Sequence, residues 1–169
     1  LQAAAAALYL LGPFTPMIFM GEEWAASTPF PFFSDLGPDL GPLITAGRRQ
    51  EFQKMAWQGA IPDPQAMMTF RSARLKWDER HDPEHARMLD WYRTLLGIRA
   101  SLPPHVAHSL TATTMTVISP DAVVMRRPGV IVVANRSDAP VTVAGLVDDP
   151  AHTVARGSCD VEDSSLTLR

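Results

Sequence analysis

The first twenty residues are almost wholly apolar, but their pattern changes at Gly12 and Pro13. Residues 1–11 are rich in Ala and Leu, which favours a helix. Gly12 and Pro13 form a stop signal, because Gly accepts the left-handed cap conformation and Pro cannot continue a helix. Residues 15–20 form a short apolar run without alternation, which is typical of a parallel strand covered on both faces. The pattern therefore predicts a buried helix, a tight turn and a buried strand, which is half of a β/α repeat.

The same segment does not predict a membrane span. Gly12, Pro13 and Pro16 interrupt it, no basic segment precedes it, and its unbroken part is roughly 11 residues against the ~20 that a span needs. A chain that opens within an apolar helix also suggests that a preceding part is missing.

Two further helices are predicted in the first hundred residues. A loop rich in proline, glycine and aromatic residues covers residues 25–42, and loops of this length are usually functional or disordered. Residues 46–57 follow as an amphipathic helix. Residues 83–101 form another helix, with Asp82 as its N-cap and Pro103 beyond its end.

The periodicity changes after residue 103. Short segments rich in Val, Ile and Thr alternate with turn residues. These segments are residues 111–118, 122–126, 130–135 and 140–144. They predict an antiparallel sheet, as half of a sandwich or of a small barrel. The chain thus divides into an α/β part, residues 1–103, and an all-β part, residues 104–169.

Composition and charge exclude several classes of partner. The 169 residues are 46% hydrophobic and 20% charged with a net charge of −3, which is an ordinary globular composition. No run of Lys and Arg is longer than two, so nothing indicates a nucleic acid or an anionic membrane as a partner. The single cysteine, Cys159, excludes an intramolecular disulfide and fits a reducing compartment, so we expect a cytoplasmic protein.

Glu22, Glu23 and Trp24 directly follow the predicted strand, and they are the strongest candidates for a binding site. In parallel β/α folds, ligand sites lie at the carboxyl ends of strands. Carboxylates accept hydrogen bonds from sugar hydroxyls, and an aromatic ring packs on the C–H face of a pyranose. Adjacent residues of an extended strand point to opposite faces, so we do not expect Glu22 and Glu23 to be a catalytic pair. The alternative is a purely structural role, in which one of the two glutamates binds an Arg or caps a helix while the other faces solvent.

Weaker candidates lie in the loop and beyond. Phe33, with two other phenylalanines of the loop, either forms a wall for a sugar chain or pins the loop to the domain. Asp35 either lines the same cleft or is an ordinary turn residue. His81 and His85 have the spacing of a two-histidine metal site, but no third ligand is visible. We therefore predict no metal site and no cofactor.

Several motifs resemble those of malto-oligosyltrehalose trehalohydrolases, a family in the α-amylase superfamily of glycoside hydrolases. The region of the family's eighth barrel strand is matched by residues 13–24, 27–30 and 32–35. Three further family motifs are matched, by residues 46–52, 62–64 and 72–77. The chain departs from the family pattern in three ways. Ala46 stands where Glu is usual, and Lys76 stands where an acid is usual. The motif that ends at Trp77 also contains one extra residue. Residues 20–23 alone would fit a glucan branching enzyme equally well.

The resemblance implies a (β/α)8 TIM barrel followed by a C-terminal antiparallel β-sandwich. Residues 1–11 would be the seventh barrel helix, residues 15–20 the eighth strand and residues 83–101 the last barrel helix. It also implies hydrolysis of the α-1,4 bond between a malto-oligosaccharide and a terminal trehalose, with retention. The nucleophilic Asp, the acid/base Glu and the supporting Asp of the family follow earlier strands, which would precede Leu1.

We therefore assign no catalytic residue in this chain. We expect it to be inactive alone and to need the missing N-terminal part of the barrel as its partner. Three other hypotheses stay open: a fragment of a glucan branching enzyme, a module without catalysis that binds glucan or a partner protein through exposed aromatic residues, and a purely structural sandwich with no ligand.

Overall fold

The computed structural model describes residues 1–103 and 109–144, with the backbone of residues 159–162 and 165–168. The α-helices of this part are α1 (Gln2–Leu10), α2 (Gly41–Lys54), α3 (Met67–Ser72) and α4 (Pro83–Ser101). Two short 3-10 helices cover Glu22–Trp24 and Trp77–His81. The strands are β1 (Thr114–Ser119), β2 (Ala122–Arg127), β3 (Val130–Asn135), β4 (Val141–Val143), β5 (Cys159–Glu162) and β6 (Ser165–Leu168).

Helices α1 and α4 pack together against the first sheet and form the main core. Its buried side chains include Ala6, Leu10, Tyr92, Leu95, Met125 and Val132. Removing such apolar surface from water contributes roughly 25 cal/mol for each Å². Both helices were predicted, and both are confirmed. Within the described residues, no helix combines the length and the apolar character that a membrane crossing requires.

The strands form two antiparallel sheets, in the orders β1-β2-β3 and β4-β6-β5. Gly129 closes the β2–β3 hairpin with a φ of +81°, a left-handed conformation that favours glycine. Val124 of the first sheet packs against Val143 of the second, so the two sheets meet through small apolar side chains. The predicted antiparallel architecture is confirmed. The predicted boundary near residue 103 falls between α4 and β1, next to residues 104–108, which lie outside the described residues.

The strand predicted over residues 15–20 does not form. These residues follow α1 without the hydrogen bonds of a sheet, and Met17 is 86% exposed. A strand needs a neighbour to pair its N–H and C=O groups, and no strand in the described part of the chain lies beside this segment. The apolar pattern identified a segment that is suited to burial, but the described residues supply no strand to pair with it.

Helix α2 also differs from its prediction. It begins at Gly41 rather than near residue 46, because Pro42 fits the first turn of a helix. It ends at Lys54, just before Ala56 turns to a positive φ of 52°. The six-residue helix α3 and the second 3-10 helix were not predicted, since segments of one or two turns are too short to show a helical period.

The turn after α1 is held by two arginines from distant elements. Arg99 of α4 donates hydrogen bonds to the carbonyl oxygens of Leu10 (2.7 Å), Gly12 (2.8 Å) and Phe14 (2.9 Å). Arg127 of β2 donates to the carbonyl oxygen of Leu11. The last carbonyls of a helix lack partners within the helix and carry partial negative charge. The two guanidinium groups therefore fix the direction in which the chain leaves α1.

Candidate functional site

The segment after residue 20 turns sharply at Gly21. Its φ of +91° lies in the left-handed region, and an added Cβ would lie 2.8 Å from Cδ2 of Leu75 and 2.9 Å from Cβ of Ala26. Only glycine fits this close approach without rearrangement. The turn starts the short helix Glu22–Trp24. As a result, the three candidate side chains leave the backbone in different directions.

Glu22 is tied to the interface between α1 and α4. Its Oε1 accepts hydrogen bonds from the hydroxyl of Tyr9 and, at 3.3 Å, from the hydroxyl of Tyr92. The side chain of Gln2 donates to the backbone oxygen of Glu22 at 2.8 Å. Burial, and then the hydrogen bond to Glu22, raise the pKa of Tyr9 well above its ordinary value, so this hydroxyl remains a donor. Glu22 therefore anchors the turn to both helices.

The carboxylate of Glu23 accepts fewer hydrogen bonds than that of Glu22. Its Oε2 accepts a hydrogen bond of 2.9 Å from the backbone N–H of Gly21, and the side chain is half-buried. Among the hydrogen bonds of the described residues, none involves Oε1 of Glu23, which leaves acceptor capacity for a ligand. Glu22 also keeps one oxygen, Oε2, outside the hydrogen bonds of the described residues, but its Oε1 is held by two tyrosine hydroxyls, so Glu23 is the less constrained of the two acids.

Trp24 lies in the interior and does not present a ring face to solvent. It is 1% exposed, and its ring lies 5.2 Å from that of Trp77. The guanidinium of Arg80 lies 5.0 Å from the ring centre of Trp77 and 6.0 Å from that of Trp24. Trp77, which the sequence motif included but no site prediction singled out, is 55% exposed and is the accessible aromatic ring here.

His85 is a structural partner of this cluster. Its Nδ1 lies 2.7 Å from the backbone oxygen of Trp24, which holds α4 against the short helix Glu22–Trp24. No group of three metal-binding side chains occurs among the described residues.

The phenylalanines of the loop form a row of edge-to-face contacts. Phe33 lies 6.0 Å from Phe30 and 5.2 Å from Phe70, and Phe30 lies 4.9 Å from Phe19. Such pairs contribute about 0.5–1.5 kcal/mol beyond the area that they bury. The row links residues 15–20, the loop and α3, which corresponds to the loop-pinning hypothesis for Phe33.

Asp35 is exposed in the same loop. No hydrogen bond or ring contact between described residues joins Phe33 or Asp35 to Glu22, Glu23 or Trp24. The five predicted candidates therefore fall into two groups, one at the short helix Glu22–Trp24 and one in the loop.

A carboxylate that the sequence did not point to holds the start of the loop. Glu79 accepts hydrogen bonds from the hydroxyl and from the backbone N–H of Ser27, the latter at 3.1 Å. These two donors hold the pKa of Glu79 below its ordinary value. Lys76 lies 3.7 Å from the same carboxylate. Neither Ser27 nor Glu79 stands in a pattern typical of a site, so only the fold brings them together.

Comparison with known proteins yields relatives of one kind. The malto-oligosyltrehalose trehalohydrolase of Brevibacterium helvolum is 42% identical over 170 residues, which cover 98% of the chain. That of Rhizobium sp. strain M-11 is 45% identical over 83% of the chain, and that of Arthrobacter ramosus is 52% identical over 60%. The resemblance to malto-oligosyltrehalose trehalohydrolases is confirmed. No family model matches the chain.

The match to the trehalohydrolases covers only part of their length. The chain spans 28% of the Brevibacterium protein, 24% of the Rhizobium protein and 18% of the Arthrobacter protein. The matched part lies toward the carboxyl end of these relatives.

A solved structure extends the comparison to the fold. A Salmonella typhimurium protein that is proposed to be an alpha amylase aligns with 98% of the chain and with 29% of its own, at a TM-score of 0.73 and 27% identity. The arrangement of helices followed by antiparallel sheets therefore occurs in an α-amylase-like protein as well as in this chain.

Proposed function

We propose that the chain is the carboxyl-terminal part of a glycoside hydrolase that cleaves the α-1,4 bond next to the terminal trehalose of malto-oligosyltrehalose and releases trehalose. The observation that carries the proposal is the 42% identity to a trehalohydrolase across 98% of the chain. A branching enzyme is not favoured, because the relatives described above all carry the trehalohydrolase name.

In this proposal, Glu23 contacts the glucan and Glu22 positions it. Each acid has one oxygen outside the hydrogen bonds of the described residues, but the carboxylate of Glu22 is fixed by two tyrosine hydroxyls, whereas that of Glu23 is held by one backbone N–H and can turn toward a sugar hydroxyl. Trp24 contributes by packing, since its ring is buried. Asp35, which is exposed in the neighbouring loop, is retained as a candidate contact with the sugar chain.

The reacting carboxylates come from another part of the barrel in this proposal. A retaining glycosidase needs a nucleophile and an acid/base about 5–5.5 Å apart across the scissile bond. Glu22 is committed to Tyr9 and Tyr92, so Glu22 and Glu23 are not offered as that pair. The exposed apolar side chains of residues 14–20 form the surface on which the rest of the barrel would pack, because large exposed apolar patches mark interaction surfaces.

A hybrid enzyme tests the proposal. The chain replaces the matching segment of the Brevibacterium helvolum trehalohydrolase, and trehalose release from maltotriosyl-trehalose is measured for the hybrid and for the chain alone. We expect release by the hybrid and none by the chain. A folded hybrid without activity, or release by the chain alone, contradicts the proposal.

The role of Glu23 is tested in the same hybrid. Glu23→Gln removes a charged acceptor worth about 1.5–3 kcal/mol, which predicts a loss of about ten- to a hundredfold in kcat/KM. Glu84→Gln, whose side chain is exposed and pairs only loosely with Arg87 at 3.8 Å, is the matched control and should keep full activity. Equal activity of the two variants would exclude Glu23 from the cleft.

A further inference from the structure

A concave surface lies beside the start of α2, apart from the candidate residues Glu22–Trp24. This cavity of about 450 Å³ has no lining residue in the short helix Glu22–Trp24. Its volume lies within the range of small-molecule sites. Its apolar lining includes Leu36, Pro38 and Pro42, and its polar lining consists of Thr45, Arg49, Asp63 and Gln65. Asp63 belongs to the Pro-Asp-Pro turn of residues 62–64, for which the site predictions had no role.

The walls of the cavity are held together before any ligand binds. The backbone N–H of Ser34 donates to the oxygen of Pro64 at 2.9 Å. The side chain of Gln65 accepts from the N–H of Leu36 at 3.0 Å and donates to the hydroxyl of Ser34 at 2.7 Å. An added Cβ on Gly41 would lie only 3.2 Å from Oε1 of Gln65, so glycine allows this close approach. A preformed site of this kind avoids the entropic cost of ordering its walls on binding.

The cavity carries one negative and one positive group. Oδ1 of Asp63 accepts hydrogen bonds from the hydroxyl of Thr45 (2.9 Å) and from the N–H of Gln65 (3.0 Å). The N–H of Gln65 and then the hydroxyl of Thr45, with a smaller contribution from Arg49, hold the pKa of Asp63 below its ordinary value. Both bonds use Oδ1, so within the described residues Oδ2 keeps its acceptor capacity. Arg49 is exposed and brings five donors to the same cavity.

This charge arrangement selects a class of ligand. The carboxylate of Asp63 would repel an anion, and the guanidinium of Arg49 would repel a cation. A neutral ligand with several hydroxyl groups satisfies both, because hydroxyls donate to Oδ2 and accept from the guanidinium. The faces of Leu36, Pro38 and Pro42 suit the C–H face of a sugar ring.

We propose that this cavity binds an α-glucosyl unit of a malto-oligosaccharide, as a site additional to the one at Glu23. The choice of an α-glucan among hydroxyl-rich ligands rests on the proposed function. Such a site would hold a distant part of a long glucan without contacting the reacting bond.

Calorimetric titration of the full chain with maltotetraose tests the proposal. Trehalose and cellobiose are titrated in parallel to identify which sugar is recognised, and inorganic sulfate serves as the anion. Ala46→Phe fills the cavity from α2 without removing a hydrogen bond, and Arg49→Gln replaces the charged guanidinium and its five donors with a shorter neutral amide that has two. Gln50→Phe and Lys54→Gln make the same two changes on α2 at positions outside the cavity lining.

We expect maltotetraose to bind, and each of the two cavity variants to weaken binding by at least about tenfold. The two control variants should stay within about twofold of the original chain. Circular dichroism of every variant shows whether the helices are retained, and Ala46→Phe and Arg49→Gln are judged independently. Absence of maltotetraose binding, binding that Ala46→Phe leaves unchanged, or binding of sulfate in preference to the sugars overturns the proposal.

The hybrid enzyme separates this inference from the proposed function. Maltotetraose binding that depends on Arg49, with no trehalose release by the hybrid, would support the cavity and contradict the hydrolase. Trehalose release by a hybrid whose chain binds no maltotetraose would support the hydrolase and overturn the cavity.

Discussion

The first twenty residues contain two apolar segments, α1 and residues 15–20, and they differ in burial. In α1, Ala6 and Leu10 are fully buried beneath α4 and the first sheet. In residues 15–20, Met17 and Met20 are exposed. The difference is one of partners: within the described residues, α1 packs against α4 and the first sheet, whereas residues 15–20 pair with no strand and reach the loop through the contact of Phe19 with Phe30. Apolar composition thus identifies a surface that is suited to burial, and only the rest of the fold decides whether it is covered.

A substitution in the buried core between α1 and α4 should cause the largest loss of stability. Leu95 is 1% exposed in the α1–α4 core, so Leu95→Ala should lower the free energy of unfolding by about 3 kcal/mol through lost burial and a cavity. Leu43→Ala, on the exposed side of α2, makes the same change and should stay within about 0.5 kcal/mol. Urea unfolding followed by circular dichroism measures both. Equal losses would mean that the α1–α4 core is not the stabilising unit.

Removing the hydrogen bonds that Arg99 makes to the turn after α1 should cause the next largest loss of stability. Arg99→Met removes three hydrogen bonds to carbonyl oxygens at the end of α1 and in the turn after it, and should cost about 2 kcal/mol. Arg93→Met, on the same helix, removes only an exposed pair with Asp90 and should cost less than about 0.5 kcal/mol. Unfolding in urea compares the two. If Arg93→Met costs as much as Arg99→Met, the turn after α1 is not held as described.

The hydrogen bond between Tyr9 and Glu22, which ties α1 to the segment after it, should make stability depend on pH. Tyr9→Phe should lower the free energy of unfolding by about 1 kcal/mol at neutral pH, since it removes a hydrogen bond to a half-buried carboxylate. The pKa of Tyr9 is raised in the folded chain, so its contribution is complete below pH 10 and is lost as the pH rises. Stability should therefore fall more steeply above pH 10 in the original chain than in Tyr9→Phe. Parallel curves would remove Tyr9 as the titrating group.

The smallest effect is expected at the start of the exposed loop. The pKa of Glu79 is lowered by Ser27, so its contribution is present above its ordinary value of 4.5 and is lost as the pH falls. Glu79→Gln should flatten the loss of stability below pH 4.5, as measured by thermal unfolding across pH. Glu84→Gln, an exposed acid with a loose partner, should leave the curve unchanged. A flattened curve in Glu84→Gln alone would contradict this assignment.

The elements with strong local signals were predictable. The Ala- and Leu-rich run specified α1, Pro83 and the later prolines bounded α4, and the Val-rich segments specified β1 to β4 within a few residues. In each case, propensity, turn chemistry and burial favoured the same structure. Strand β3 was predicted with the bounds that the structure shows, since Gly129 before it and the polar turn after it are strong signals.

Features that depend on distant partners were not predictable. The strand at residues 15–20 requires neighbours that the described chain does not contain. The burial of Trp24 follows from Trp77, Arg80 and His85, which lie more than fifty residues away. The different contacts of Glu22 and Glu23 follow from Tyr9 and Tyr92, which no sequence spacing connects to either acid. The cavity next to Asp63 depends on Gln65 bridging two loops.

The reach of Arg127 back to Leu11 has a consequence for synthesis on the ribosome. The donor follows its acceptor by 116 residues, and translation at about 5–20 residues per second leaves roughly ten seconds between them. Throughout that interval the carbonyl end of α1 lacks its final cap, and its apolar face awaits a sheet that has not yet emerged. A chaperone that binds short apolar segments on nascent chains would therefore find α1 available early, and would lose it when the β2–β3 hairpin leaves the exit tunnel.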